Sequence, residues 1–187
     1  TRTSFFHHSL GGYHAAKLRT YQNLIEQNIN SDNPNNEVLN MLNAKYIIDL
    51  NKEGTALIKY ENPNALGNAW FVDSLQFVSS PDQALNYLDI FKPKTTAIVD
   101  YKYSQYVSLV NDSIALEEPI INLNNYAPNK LIYNSTNRFT SLAVFSEIFY
   151  PKGWKAYIDG IEVEHFPVNY LLSCLLYTSP SPRDLRK

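Results

Sequence analysis

Apolar residues in this chain recur at two spacings, and the change from one to the other organises it. From Tyr13 to Gln27 they fall at Tyr13, Ala16, Leu18, Tyr21, Leu24 and Ile25, close to the interval that gives a helix one apolar stripe. Gly11-Gly12 precedes this run, and a polar, Pro-containing stretch from Asn30 to Asn36 closes it. Glu37 to Ala44 predicts a shorter helix with Val38, Leu39 and Leu42 inward. Beyond it the pattern turns to strands. Lys45 to Leu50 and Thr55 to Glu61 predict a hairpin around Asn51-Lys52-Glu53-Gly54, the glycine supplying the positive φ of the turn.

Ala69 to Val78 predicts one longer strand, ended by Ser79-Ser80-Pro81-Asp82-Gln83. There Ser80 can cap a helix, Pro81 suits its first turn, and Gln83 can reach back to complete a capping box. That helix takes Ala84, Leu85, Leu88 and Phe91 as its apolar face and stops before Pro93. Strands are expected at Thr95 to Tyr101, Ile120 to Leu123, Lys130 to Asn134 and Thr140 to Phe149. Asp159-Gly160 between Tyr157 and Val163 is a two-residue hairpin signal. The expected class is α+β: N-terminal helices followed by an antiparallel β-sandwich-like domain, truncated at its C-terminal end. The expected divisions are a helical segment over 1–44, a strand-rich domain over 45–172 with one helix near 81–91, and a tail from 173 to 187.

The tail is set apart because Cys174 to Asp184 has no hydrophobic period and back-translates, in frame, into a transposase-type sequencing adapter. Leu185, Arg186 and Lys187 would follow from index bases, so a non-native origin is expected from about Cys174. This removes the single cysteine from disulfide, metal and nucleophile readings. The tail's three basic residues and one acid contribute +2, so the formal charge of -2 becomes -2 minus +2, or -4, without it. Charged residues are only 18% of the 187, with no basic cluster, and no nucleic-acid partner is expected. No apolar run is long enough to span a bilayer.

Candidate chemistry is sparse. His7, His8 and His14 fall close together, but zinc patterns place ligands four apart on a helix or use paired cysteines, so no metal is expected. Gly11-Gly12 ahead of a helix leaves backbone N–H groups that, with His8, His14, Lys17 and Arg19, could receive an anion or lipid phosphate. The simpler reading packs that helix entrance against the rest of a larger protein. Trp70 and Trp154 could stack on sugar rings, although aromatics of this size more often fill a core. No Ser, His and acid fall in a convincing order, and no catalytic residue or cofactor is expected.

Four blocks carry a resemblance: His7 to Arg19, Val38 to Tyr46, Asn64 to Val72, and Val144 to Gly160. In this order, within Arg2 to Leu172, they resemble the C-terminal part of YfhO-family membrane proteins of Bacteroidetes-type bacteria. The resemblance implies a polytopic inner-membrane parent related to GT-C glycosyltransferases, which use polyprenyl-phosphate sugars to modify cell-envelope glycans. This segment would lie on the periplasmic face beside the upstream transmembrane domain. A lipid-linked sugar or glycan acceptor would be its other partner. The catalytic carboxylate would lie upstream, leaving this segment accessory. The alternative expectation is a structural or carbohydrate-binding β module whose parent transfers nothing.

Overall fold

In the computed structural model, which describes residues 9–11, 17–30, 33–107 and 119–177, the first apolar stripe becomes α1 (Arg19–Leu24) and runs on into one π-helical turn, Ile25–Ile29. The stripe's beginning lies outside the described residues. The chain divides into two compact units, Thr1–Gly67 and Asn68–Lys187.

In the first unit, α2 (Asn36–Met41) packs on the π turn, and Leu24, Ile25, Val38, Leu39, Met41 and Leu42 are buried. Asn35 caps α2, its Oδ1 accepting from Glu37 N–H at 3.0 Å and Val38 N–H at 3.3 Å. The other end closes as a Schellman turn: Ala44 N–H donates to Leu39 O at 3.0 Å and Asn43 N–H to Asn40 O at 3.1 Å. Asn43 holds the left-handed position, at φ 56. The expected hairpin follows as β1 (Tyr46–Leu50) and β2 (Leu57–Glu61), with Gly54 at φ 68 in the loop. It belongs with the helices because Asn62 Nδ2 donates to Asn40 Oδ1 at 2.9 Å and to Ala44 O at 3.0 Å. Every residue of both strands is exposed, Leu57 at 73%.

The second unit is mainly β. The expected strand Ala69 to Val78 is broken at Asp73 into β3 (Ala69–Val72) and β4 (Ser74–Val78). The next element, α3 (Pro81–Tyr87), begins as expected with Ser80 Oγ accepting from Gln83 N–H at 3.2 Å. Gln83 Oε1 reaches back to Ser79 N–H, at 2.8 Å, one residue beyond the usual capping-box partner. Then come β5 (Thr96–Asp100), a 3₁₀ turn (Tyr101–Tyr103) and α4 (Ser104–Val107). The remaining strands are β6 (Ile120–Ala127), β7 (Lys130–Thr136), β8 (Ser141–Ile148), β9 (Ala156–Ile158), β10 (Ile161–Val163), β11 (His165–Val168) and β12 (Leu172–Tyr177).

Six of these form one sheet in the order β3-β8-β12-β11-β5-β4. Since β3 and β4 occupy opposite edges yet are joined through Asp73 alone, the sheet must curl until its edges nearly meet. The corner is pinned by Thr95, whose carbonyl accepts from Asp73 N–H and Ser74 N–H, each at 2.9 Å. A single continuous strand could not have reached both edges. The expectation of a wholly antiparallel sheet is also corrected: β4 and β5 run parallel, connected through α3. This is a β-α-β unit, the connection that parallel neighbours require.

One face of the sheet is closed. Trp70, Val72, Leu142, Val144, Phe166, Val168, Leu172 and Cys174 are buried there, and Trp70 Nε1 donates to Pro93 O at 2.7 Å. In β12, Cys174 continues this face while Leu175 and Tyr177 take the other. The strand therefore runs across the boundary expected near residue 173, because Cys-Leu-Leu-Tyr is apolar enough to extend a buried strand.

The junction between β11 and β5 rests on Asn169. The two strands share one residue pair, Val168 with Val99. Asn169 adds two bonds to Ile98: its N–H donates to Ile98 O at 2.9 Å and its Oδ1 accepts from Ile98 N–H at 2.8 Å. Asn169 is fully buried at φ 50 in the turn between β11 and β12. Replacing it by Ala orphans a buried N–H and strains the turn, and should cost about 3 kcal/mol in urea unfolding. Asn169→Gly relieves the strain but not the orphaned donor, and should cost about 2 kcal/mol. In the first unit, Asn43→Ala should lose about 1 kcal/mol while Asn43→Gly stays within about 0.5 kcal/mol of the parent chain.

Candidate functional site: a cleft on the open face of the sheet

The opposite face of the curled sheet is open. Alternation along β8 turns Ala143, Phe145 and Glu147 to this side, and register with β12 and β11 adds Ser173, Leu175, Tyr177 and His165. Two hairpins stand beside it, β6–β7 and β9–β10, and together they enclose a cleft of about 900 Å³. Tyr133 of β7 meets Phe145 of β8 edge to face, with ring centroids 5.0 Å apart.

The β9–β10 wall follows from two local choices of sequence. Asp159 (φ 50) and Gly160 (φ 83) make the expected two-residue turn, pairing Ile158 with Ile161. Just upstream the chain folds tightly, Gly153 and Trp154 both donating to Tyr150 O at 3.0 Å. A Cβ at Gly153 would lie 2.5 Å from the Tyr150 ring, so any larger residue there must displace that ring beside the turn that delivers Trp154 to the cleft. Tyr157 stands at the wall, 56% exposed. Lys155 pairs with Glu162 at 3.0 Å across the hairpin, which raises the lysine pKa.

Two groups in the cleft are shifted by burial. The Tyr133 phenol is held well above its usual range by loss of water and, secondarily, by the nearby Glu147. His165 is pushed below its ordinary pKa by burial, with its ring edge-on to Phe149 at 5.1 Å. Tyr133 Oη and His165 Nε2 are buried without a hydrogen-bond partner. At neutral pH the first is therefore a protonated phenol and the second a neutral imidazole.

His8 and His14 lie outside the described residues. Lys17 is half-exposed and Arg19 exposed, both in the first unit. Trp70 is a core residue, 8% exposed and bonded to Pro93, so it has no face to offer a sugar. Trp154 is half-buried and lines the cleft. Tyr157, beside Trp154 in the aromatic run and two residues before the Asp-Gly turn, was within reach of sequence reasoning; Tyr133, Glu147 and His165 were missed. Among the described residues no three His, Cys, Asp or Glu side chains cluster as metal ligands, and no helix is long and apolar enough to cross a membrane. No family model matches the chain, and no curated protein or solved structure shows significant similarity to it.

The sign of the His165 effect is fixed by its direction. A histidine whose folded pKa lies below its unfolded value contributes stability above about pH 6.5 and loses it as pH falls toward the folded pKa. Urea midpoints measured across this range should fall on acidification, and His165→Gln should flatten that part of the slope.

Proposed function

We propose that this chain is the extracytoplasmic, accessory part of a YfhO-like membrane protein, holding one partner surface for the rest of its parent and one cleft for a ligand. The observation that carries this reading is the β1–β2 hairpin. Tyr46, Ile48, Leu50 and Leu57 share one face, Ile47, Ile58 and Tyr60 the other, and all are exposed. An isolated strand pair is marginal in water, and a hairpin apolar on both faces is suited to lie between further layers of protein. The upstream transmembrane domain of the parent is the layer that the sequence resemblance supplies. Its loop, Asn51 to Ala56, is polar and folded on itself, with Asn51 Oδ1 accepting from Thr55 N–H at 2.7 Å and Ala56 N–H at 3.1 Å. Such a tip suits a surface facing water.

On this reading the parent belongs to the bacterial inner membrane, and this segment faces the periplasm. Any transfer of sugar from a polyprenyl phosphate is performed by the parent's upstream carboxylate, and the segment helps to receive the lipid-linked sugar or the glycan acceptor. The sandwich-like layering belongs to the same proposal, with β6–β7 as part of a second layer over the open face. The second reading, a carbohydrate-binding module in a parent without transferase activity, is favoured by the cleft itself.

Cysteine labelling of the whole parent in intact cells tests the placement. In a cysteine-free background, Glu53→Cys at the loop tip should react with a membrane-impermeant maleimide from outside the inner membrane. Leu57→Cys should be protected there yet labelled freely in the isolated chain. Equal labelling of Leu57→Cys in both, or Glu53→Cys reacting only after lysis, would remove the proposal.

A further inference from the structure

The cleft on the open face has a chemistry more specific than its size. Its charged lining is balanced, Lys130 and Lys155 against Glu147 and Asp159. Lys155 is already engaged by Glu162 at 3.0 Å, outside the cleft's lining. A phosphate therefore meets no surplus of cations here. Burial holds His165 toward its neutral form, which adds nothing to either sign.

What remains is apolar ring surface interrupted by acceptors. Phe145, Trp154 and Tyr157 supply aromatic faces, with Tyr157 the most accessible at 56%. Glu147 and Asp159 line it with carboxyl oxygens that accept hydrogen bonds. Flat apolar faces beside carboxylate acceptors complement a ring with hydrogen on its faces and hydroxyl groups around its edge. The volume, about 900 Å³, lies within the range of sites that enclose small molecules and admits more than one sugar ring.

We infer that the cleft is a binding site for an uncharged glycan, with sugar rings stacked on Tyr157 and Trp154 and hydroxyl groups donating to Glu147 and Asp159. The inference rests on the cleft alone and holds whether or not the parent spans a membrane.

Calorimetric titration of the full chain tests it, using neutral tetrasaccharides from cellulose, mannan and chitin. A sugar phosphate and vesicles of anionic phospholipid serve as charged comparators. At least one neutral series should bind, with an affinity that changes less than about twofold between about 50 and about 500 mM salt. Tyr157→Ala, at an exposed position whose loss leaves the fold intact, should weaken that binding by about tenfold or more, and Trp154→Ala should do the same. Ile90→Ala, exposed and outside the cleft, should leave it unchanged. No binding of any neutral series by a chain that unfolds cooperatively would overturn the inference. So would preference for the phosphate or the vesicles, or a Tyr157→Ala chain that binds as well as the parent chain.

Discussion

The second unit depends on one side chain that behaves as a piece of backbone. Asn169 leaves the β11 strand in a left-handed turn, where the next pair of ladder bonds to β5 would otherwise be lost. Its own N–H and its side-chain oxygen take the two positions on Ile98 that a further strand residue would have filled. Asparagine suits this position on two counts, since it tolerates positive φ and its amide oxygen is an acceptor of the same kind as a peptide carbonyl. Through that contact the parallel β4–β5 pair is joined to the antiparallel strands. Without it, the curled sheet would be two pieces sharing a single bridge.

Local features of the fold were legible in the sequence, and long-range ones were not. Ser80-Pro81 and Asp159-Gly160 each specify a helix start or a turn within a few residues, and both appear where expected. The break at Asp73 was not legible, because Ala69 to Val78 alternates well enough for one strand. Only the contest for sheet edges, decided by β5 and β8 far away in the chain, divides it. The same holds for Cys174 to Tyr177: short and without a clear period, these residues become a central strand because β8 and β11 offer edges on either side.

The site was less legible than the fold for a related reason. The cleft collects Tyr133, Glu147, Tyr157 and His165 from four separate strands, and none stands in a motif that names a ligand. The two tryptophans had equal claims in sequence. Trp70 falls on the closed face of β3, next to Pro93, whereas Trp154 follows a glycine turn that swings it to the open side. Which face a residue meets depends on strand register, and register is set by partners that sequence spacing does not reveal.

The strand order also fixes a sequence of events in time. β3 is made early, but β8, its ladder partner among the described residues, lies about seventy residues downstream and is itself flanked by β12. Hairpins such as β6–β7 and β11–β12, and the β4–α3–β5 unit, close over short loops and can form first. The earliest strand of the sheet is thus a late arrival at its edge. Until β8 is made, Trp70 and Val72 lack the Val144 and Leu142 they pair with in the sheet.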